Sequence, residues 1–138
     1  MTGFVLDASV AVAWCFDDES TPAAWQLLDR LRTAPGHVPA LWELEIGNIL
    51  LSAVRRRRIT QARTVEFLGI LGDLDIHVDP DLPRRAFRDV LPLAREHSLT
   101  TYDATYLELA MRLGLPLATK DRALGHAAKA ARVKTLLA

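Results

Sequence analysis

The fold prediction starts from the stretch Phe4-Val5-Leu6-Asp7-Ala8-Ser9. Three apolar residues in a row predict a short buried strand, and the apolar residues that continue to Trp14 predict a helix directly after it. Asp7 lies between these two elements, so a carboxylate occupies the loop that follows the strand. The order of strand, acidic loop and helix favours a parallel α/β sheet.

The rest of the chain continues this alternation, with helix starts marked by Thr21-Pro22 and Thr60. Helices are predicted at about 22–32, 41–57, 60–71, 82–94, 103–114 and 122–131, and further strands at 75–79, 100–102, 116–119 and 133–136. A parallel sheet that is covered by helices on both faces follows from this order. We therefore predict a three-layer α/β/α sandwich with a short, mostly parallel central sheet, forming a single domain over residues 1–138.

Composition narrows the class of protein. The chain has 138 residues, of which 50% are hydrophobic and 25% are charged, which is the mix of an ordinary globular domain. Lys and Arg balance Asp and Glu at 17 each, which argues against a protein that coats nucleic acid through its overall charge. Cys15 is the only cysteine, so an internal disulfide is excluded. With no basic leader and no apolar run of about 20 residues, the sequence favours the cytoplasm.

Three acids follow predicted strands, namely Asp7, Asp103 and Asp121. The carboxyl ends of parallel strands meet at one edge of a sheet, where ligands bind, so these acids are expected to gather in one crevice. The alternative is that each carboxylate only caps the helix that follows it. The sequence leaves both interpretations open.

Glu45 lies within the long predicted helix, on the side of its apolar stripe, whereas Glu43 points the opposite way. No basic residue is placed one turn away to neutralise Glu45, so its carboxylate is expected to be neutral, paired elsewhere or bound to a cation. Asn48, one turn further on, can hydrogen-bond the carboxylate or a water bound to it. The alternative is that Glu45 reaches solvent past its neighbours.

A divalent cation would relieve the repulsion in such a crevice. Oxygen ligands favour Mg²⁺ or Mn²⁺, and the four scattered histidines lack the spacing of a zinc site. A hard cation that keeps waters in its shell suits the hydrolysis of phosphodiester bonds. The predicted catalytic and metal-binding residues are Asp7, Glu45, Asp103 and Asp121.

Four segments together resemble, in order, the motifs of PIN-domain toxins of the VapC type. They are Val5-Leu6-Asp7-Ala8-Ser9, Pro39-Ala40-Leu41-Trp42-Glu43-Leu44-Glu45-Ile46-Gly47-Asn48, Thr101-Tyr102-Asp103-Ala104-Thr105-Tyr106-Leu107 and Ala118-Thr119-Lys120-Asp121. The resemblance spans nearly the whole chain. It implies a single PIN-like domain and a Mg²⁺-dependent endoribonuclease that acts as the toxin of a toxin–antitoxin pair.

The resemblance also implies roles for individual residues and partners. The four acids are the catalytic set, and Ser9, Asn48 and Thr119 match positions that support such a site. It further implies a homodimer and a cognate antitoxin protein that docks near the acids.

Two groups of basic residues can contact RNA phosphates. Lys120 and Arg122 flank Asp121, and Arg55 and Arg56 begin a run of four arginines at the end of the long helix. For Lys120 and Arg122 the alternative is that they are simple surface charges. For the arginine run the alternative is a favourable interaction with the helix dipole and a soluble surface.

Two other protein classes share features of this sequence. A response-regulator receiver is also a small α/β domain with an acidic Mg²⁺ pocket, but it requires adjacent acids after the first strand, and Asp7 stands alone. A catalytically silent PIN-like module that binds RNA or a protein partner is the closer alternative. Its signature would be a lost acid, and none of the four is lost.

Overall fold

A parallel sheet forms the centre of the molecule. Over residues 1–137, which the computed structural model describes, the strands are β1 (Phe4–Leu6), β2 (Gly36–Pro39), β3 (Ile76–Asp79), β4 (Leu117–Ala118) and β5 (Thr135–Leu136). Their order across the sheet is β3-β2-β1-β4-β5, and every neighbouring pair is parallel. β1 is therefore the central strand, and all three of its residues are buried.

The helices pack around this sheet. They are α1 (Ala8–Ala13), α2 (Pro22–Arg30), α3 (Trp42–Arg55), α4 (Gln61–Gly72), α5 (Leu82–Arg85), α6 (Leu91–His97), α7 (Thr101–Leu113) and α8 (Arg122–Ala130). A π-helical turn, Ala86–Val90, joins α5 to α6. The predicted caps are confirmed, since the Thr21 and Thr60 hydroxyls accept hydrogen bonds from backbone N–H groups of α2 and α4.

The strand order explains the three layers. The chain moves outward from β1 to β3, then crosses to β4 on the other side of β1 and continues to β5. Crossovers between parallel strands are right-handed. The chain crosses the sheet in one direction from β1 to β3 and in the other from β3 to β5, so the helices that follow β3 lie on the opposite face from those before it. In agreement, α1 packs against α3, whereas α7 packs against α8 and the middle strands. The predicted α/β/α sandwich is confirmed.

Two predicted elements differ in the structure. The expected strand at 100–102 does not form, because α7 begins at Thr101 and the Thr100 hydroxyl caps it by accepting from the Asp103 N–H. Conversely, no strand was predicted at Gly36–Pro39, yet this segment is the fully buried β2. The sequence pattern did not indicate this strand, because Gly and Pro, the residues at its two ends, are depleted in strands.

In the part of the chain that the structure describes, no helix combines the length and the apolar character needed to cross a membrane.

Candidate active site

The chain reverses direction across the sheet at β1 and β4, which are neighbours. In a parallel sheet, the loops that leave such a pair of strands diverge to opposite faces and open a crevice at the carboxyl ends. Asp7 follows β1, and the segment 119–121 follows β4. The topology thus brings the first and the fourth predicted acid to one crevice.

Asp7 is held by hydroxyl groups. The residue is only 6% exposed, and its Oδ2 accepts hydrogen bonds from Ser9 Oγ at 2.8 Å and from Thr119 Oγ1 at 2.7 Å. The two hydroxyls also accept from the loop after β4, Ser9 from the Lys120 N–H and Thr119 from the Asp121 N–H, each at 3.0 Å. These bonds tie the two loops together and fix the orientation of the Asp7 carboxylate.

Glu45 lies in the first turn of α3 and is half-buried, while Glu43 on the other side of the helix is exposed, as the helical phase predicted. The Tyr106 hydroxyl donates a hydrogen bond to Glu45 Oε1 at 2.5 Å. Tyr106 is fully buried on α7, three residues after Asp103. Sequence reasoning missed this contact, although the spacing of one helical turn between Asp103 and Tyr106 was a usable signal.

The capping interpretation applies to one acid of the three. Asp121 caps α8, because its Oδ1 accepts from the Leu124 N–H at 2.9 Å. Asp7 precedes α1 but makes no side-chain cap bond, and Asp103 lies inside the first turn of α7, where Thr100 is the cap. The carboxylates of Asp7 and Asp103 are therefore not explained by helix capping.

The acids act on one another electrostatically. Burial raises the pKa of Asp7, Glu45 and Asp103, and neighbouring negative charge raises each pKa further. Asp121 acts on Asp7, whereas both Asp7 and Asp103 act on Glu45. Asp103 responds to Asp121 and Asp7. Hydrogen bonds from Ser9, Thr119, Tyr106 and Thr100 lower these pKa values without cancelling the rise.

The donor chemistry fits a hard cation that keeps part of its water shell. Among residues 1–137, no three Asp, Glu, His or Cys side chains are grouped tightly enough to form a ready metal cage. Mg²⁺ rarely needs one, because it retains several waters and uses one or two carboxylates directly. The acids that could contribute ligands to such an ion are those that influence one another's pKa, namely Asp7, Glu45, Asp103 and Asp121, and their role as metal ligands stays a prediction.

The other predicted residues lie in varied settings. Asn48 is exposed and makes no hydrogen bond to Glu45 in the described chain. Lys120 donates from Nζ to the Glu19 carbonyl oxygen at 3.0 Å. Arg122, Arg55 and Arg56 are exposed, the latter two lying about 15 Å along α3 from Glu45. Their proposed roles remain predictions.

In EDTA we expect Asp103→Asn to melt at a higher temperature than the wild type at pH 7. The raised pKa of Asp103 means that the folded state holds the proton of this carboxyl group more tightly than the unfolded state does. Protonated Asp103 therefore stabilises the fold fully at pH values below 3.8, the ordinary pKa of Asp, and this stabilisation is lost as the pH rises through the pKa of the folded state. Asn is neutral at every pH. The difference in melting temperature should therefore be small near pH 4 and grow toward pH 7.

Thermal melts at pH 4, 5.5 and 7 measure this difference, with Glu43→Gln as the control at an exposed carboxylate. A gap between Asp103→Asn and the wild type that is the same at all three pH values would contradict the electrostatic account.

Three relatives and a family model resemble the chain. The model, described as PIN domain, matches residues 4–130. The chain is 28% identical over 122 residues to Ribonuclease VapC3 of Pyrobaculum aerophilum, covering 88% of this chain and 92% of that protein. It is 33% identical over 119 residues to Ribonuclease VapC12 of Mycobacterium tuberculosis, covering 85% of each. It is 38% identical over 95 residues to Exonuclease VapC9 of P. aerophilum, covering 67% and 68%.

Two solved structures share the architecture. PAE2754 from P. aerophilum superposes with a TM-score of 0.71 at 26% identity, covering 98% of this chain and 84% of that one. FitAcB from Neisseria gonorrhoeae superposes with a TM-score of 0.52 at 18% identity, covering 97% and 96%, and this likeness concerns the fold alone.

Proposed function

Because this chain belongs to the PIN-domain family, we propose that it is a metal-dependent endoribonuclease, the toxin of a type II toxin–antitoxin pair. The observation that carries the proposal is the electrostatic coupling of four acids, namely Asp7 after β1, Glu45 in the first turn of α3, Asp103 in the first turn of α7 and Asp121 after β4. Burial and the charges of neighbouring acids raise the pKa of Asp7, Glu45 and Asp103. Among residues 1–137, no Lys, Arg or His side chain is among the causes of these pKa shifts. The ribonuclease relatives agree with this chemistry.

The protein's own residues would do the following in hydrolysis. Asp7, Glu45, Asp103 and Asp121 would hold Mg²⁺ or Mn²⁺, with Ser9 and Thr119 orienting the Asp7 carboxylate and Tyr106 orienting that of Glu45. The bound cation would supply positive charge to the phosphate and an activated water. Asn48 would bond waters at the rim, and Lys120 and Arg122 would contact the phosphates of the RNA.

The partners we propose are a cognate antitoxin protein and a second copy of this chain. Helices α3 and α4 expose large apolar side chains, among them Leu44 at 78% and Val65 at 65%. Apolar surface of this kind commonly marks a protein contact. Size-exclusion chromatography with light scattering tests the homodimer. We place the protein in the cytoplasm, where a buried free thiol such as Cys15 stays reduced.

We expect the purified protein to cut a circular single-stranded RNA in Mg²⁺ or Mn²⁺, and to lose this activity in excess EDTA. The circle has no ends, so its cleavage requires an endonuclease. Gel electrophoresis measures the linear product, and Asp7→Asn purified in parallel controls for a contaminating ribonuclease.

Cleavage that continues undiminished in EDTA would overturn the metal assignment. Cleavage of linear but not circular RNA would instead indicate an exonuclease, the activity named for the relative VapC9.

A further inference from the structure

Helix α8 presents one basic face. Arg122, His126 and Lys129 are exposed and spaced by four and three residues, which aligns them on one side of the helix over about 10 Å. The opposite side packs into the core through Leu124, Ala127 and Ala128. The basic face therefore looks away from the core along its whole length.

These side chains border a concave surface. A cavity of about 350 Å³ is lined by Lys120, Arg122, Gly125, His126, Lys129 and Leu137. Among the described residues that line this cavity none is acidic, and Gly125 contributes no side chain to it. The surface therefore has both the charge and the shape to receive an anionic chain.

Within the described part of the chain, no acidic residue neutralises the charge of this face. Among residues 1–137, Arg122, His126 and Lys129 form no ion pair and no side-chain hydrogen bond. Arg58 and Arg112, by contrast, are bound to acids. In a chain with 17 basic and 17 acidic residues, an uncompensated basic face is a local feature rather than a result of excess charge.

The face begins at the acidic crevice. Asp121 caps α8, and its charge raises the pKa of Asp7 and of Asp103; Arg122 is the next residue. An RNA strand whose scissile phosphate lies at the acids must continue over the neighbouring surface. Its flanking phosphates repel the crevice, so they need positive charge outside it.

We propose that the outer face of α8, formed by Arg122, His126 and Lys129, binds the sugar-phosphate backbone of single-stranded RNA on one side of the cleaved bond. This inference rests on the proposed function and adds His126 and Lys129 to the RNA-binding surface. Contacts to phosphates carry no sequence information, so the face contributes affinity and register without base preference.

The test is the salt dependence of RNA binding in EDTA, where cleavage is suppressed. The probe is a fluorescent 12-nucleotide oligouridine, titrated by anisotropy at several KCl concentrations. Each phosphate contact on a single strand contributes about 0.7 to the slope of log K against log salt. The double variant Arg122→Gln/Lys129→Gln should therefore lower the slope by about 1.4.

Arg95→Gln is the matched control, since Arg95 is exposed on α6 and makes no ion pair in the described chain. Its slope should equal that of the wild type. In Mg²⁺, Lys129→Gln should raise KM for RNA more than it lowers kcat, because Lys129 lies along the helix beyond the acids.

The outcomes separate the two proposals. A slope unchanged in the double variant, with RNA cleavage by the wild type intact, overturns the α8 assignment alone. A reduced slope in a protein that cleaves no RNA with any divalent cation supports the α8 assignment and overturns the nuclease. If a polyglutamate peptide of equal charge displaces the RNA as well as unlabelled RNA does, the face recognises acidic peptides and the RNA assignment is wrong.

Discussion

Asp7→Asn is expected to cleave RNA about a thousandfold more slowly than the wild type, and Glu45→Gln to lose a similar factor. A divalent cation contributes several kcal/mol to stabilising charge in the transition state, and about 4 kcal/mol corresponds to a factor of about a thousand. Both substitutions keep the size of the side chain and remove its charge. The loss should appear in single-turnover rates at saturating Mg²⁺.

Glu43→Gln is the control for this experiment. Glu43 is on the same turn of α3 as Glu45 but is exposed, whereas Glu45 is half-buried and bonded to Tyr106. We expect Glu43→Gln to cleave within about twofold of the wild type, as an exposed substitution away from the site should. Equal losses in Glu43→Gln and Glu45→Gln, with both proteins folded by circular dichroism, would show that the crevice is not where cleavage occurs.

The position of Glu45 was predictable because a helix has one strong regularity. A period of 3.6 residues places Glu45 beside the apolar stripe and Glu43 away from it, and the observed burial agrees. The placement of Asp7 and Asp121 at the carboxyl end of the sheet was predictable for a related reason, since Asp7 directly follows β1 and Asp121 lies three residues after the end of β4. The predicted positions of Glu45, Asp7 and Asp121 depend only on residues that are close to them in the sequence.

Contacts between distant segments were not predictable in this way. The hydrogen bond from Tyr106 to Glu45 joins residues that are 61 positions apart. The spacing from Asp103 could place Tyr106 on the same face of α7, but no local pattern identifies Glu45 as its partner. The strand β2 was missed because its burial comes from β1 and β3 on either side, which outweighs the low strand propensity of Gly36 and Pro39. The predicted strand at 100–102 was wrong because Thr100 suits a helix cap as well as a strand, and in the structure it caps α7.

Arg112→Met is expected to lower the free energy of unfolding by about 3 kcal/mol, which corresponds to a fall in melting temperature of roughly 10 °C. Arg112 binds both carboxylate oxygens of Asp79, at 3.0 and 2.8 Å, and donates from Nε to Glu108 at 2.9 Å. The Asp79 and Glu108 side chains are only 13% and 10% exposed. Removing the guanidinium would leave two largely buried carboxylates with little compensation, since Arg85 approaches Glu108 only to 3.5 Å.

Arg88→Met is the matched control, because Arg88 pairs with Asp89 at 3.3 Å but is 71% exposed, and an exposed pair contributes less than about 1 kcal/mol. Denaturant unfolding of both variants measures the difference. If the loss of stability comes from unpaired buried carboxylates, the double variant Arg112→Met/Glu108→Leu should lose less free energy of unfolding than the two single variants added together.

Arg112 lies about 14 Å along α7 from Asp103, so the folded Arg112→Met protein should still cleave RNA at nearly the wild-type rate well below its melting temperature. A thousandfold loss of cleavage in that folded protein would mean that the Arg112 network positions the acids, and that stability and activity cannot be separated along α7.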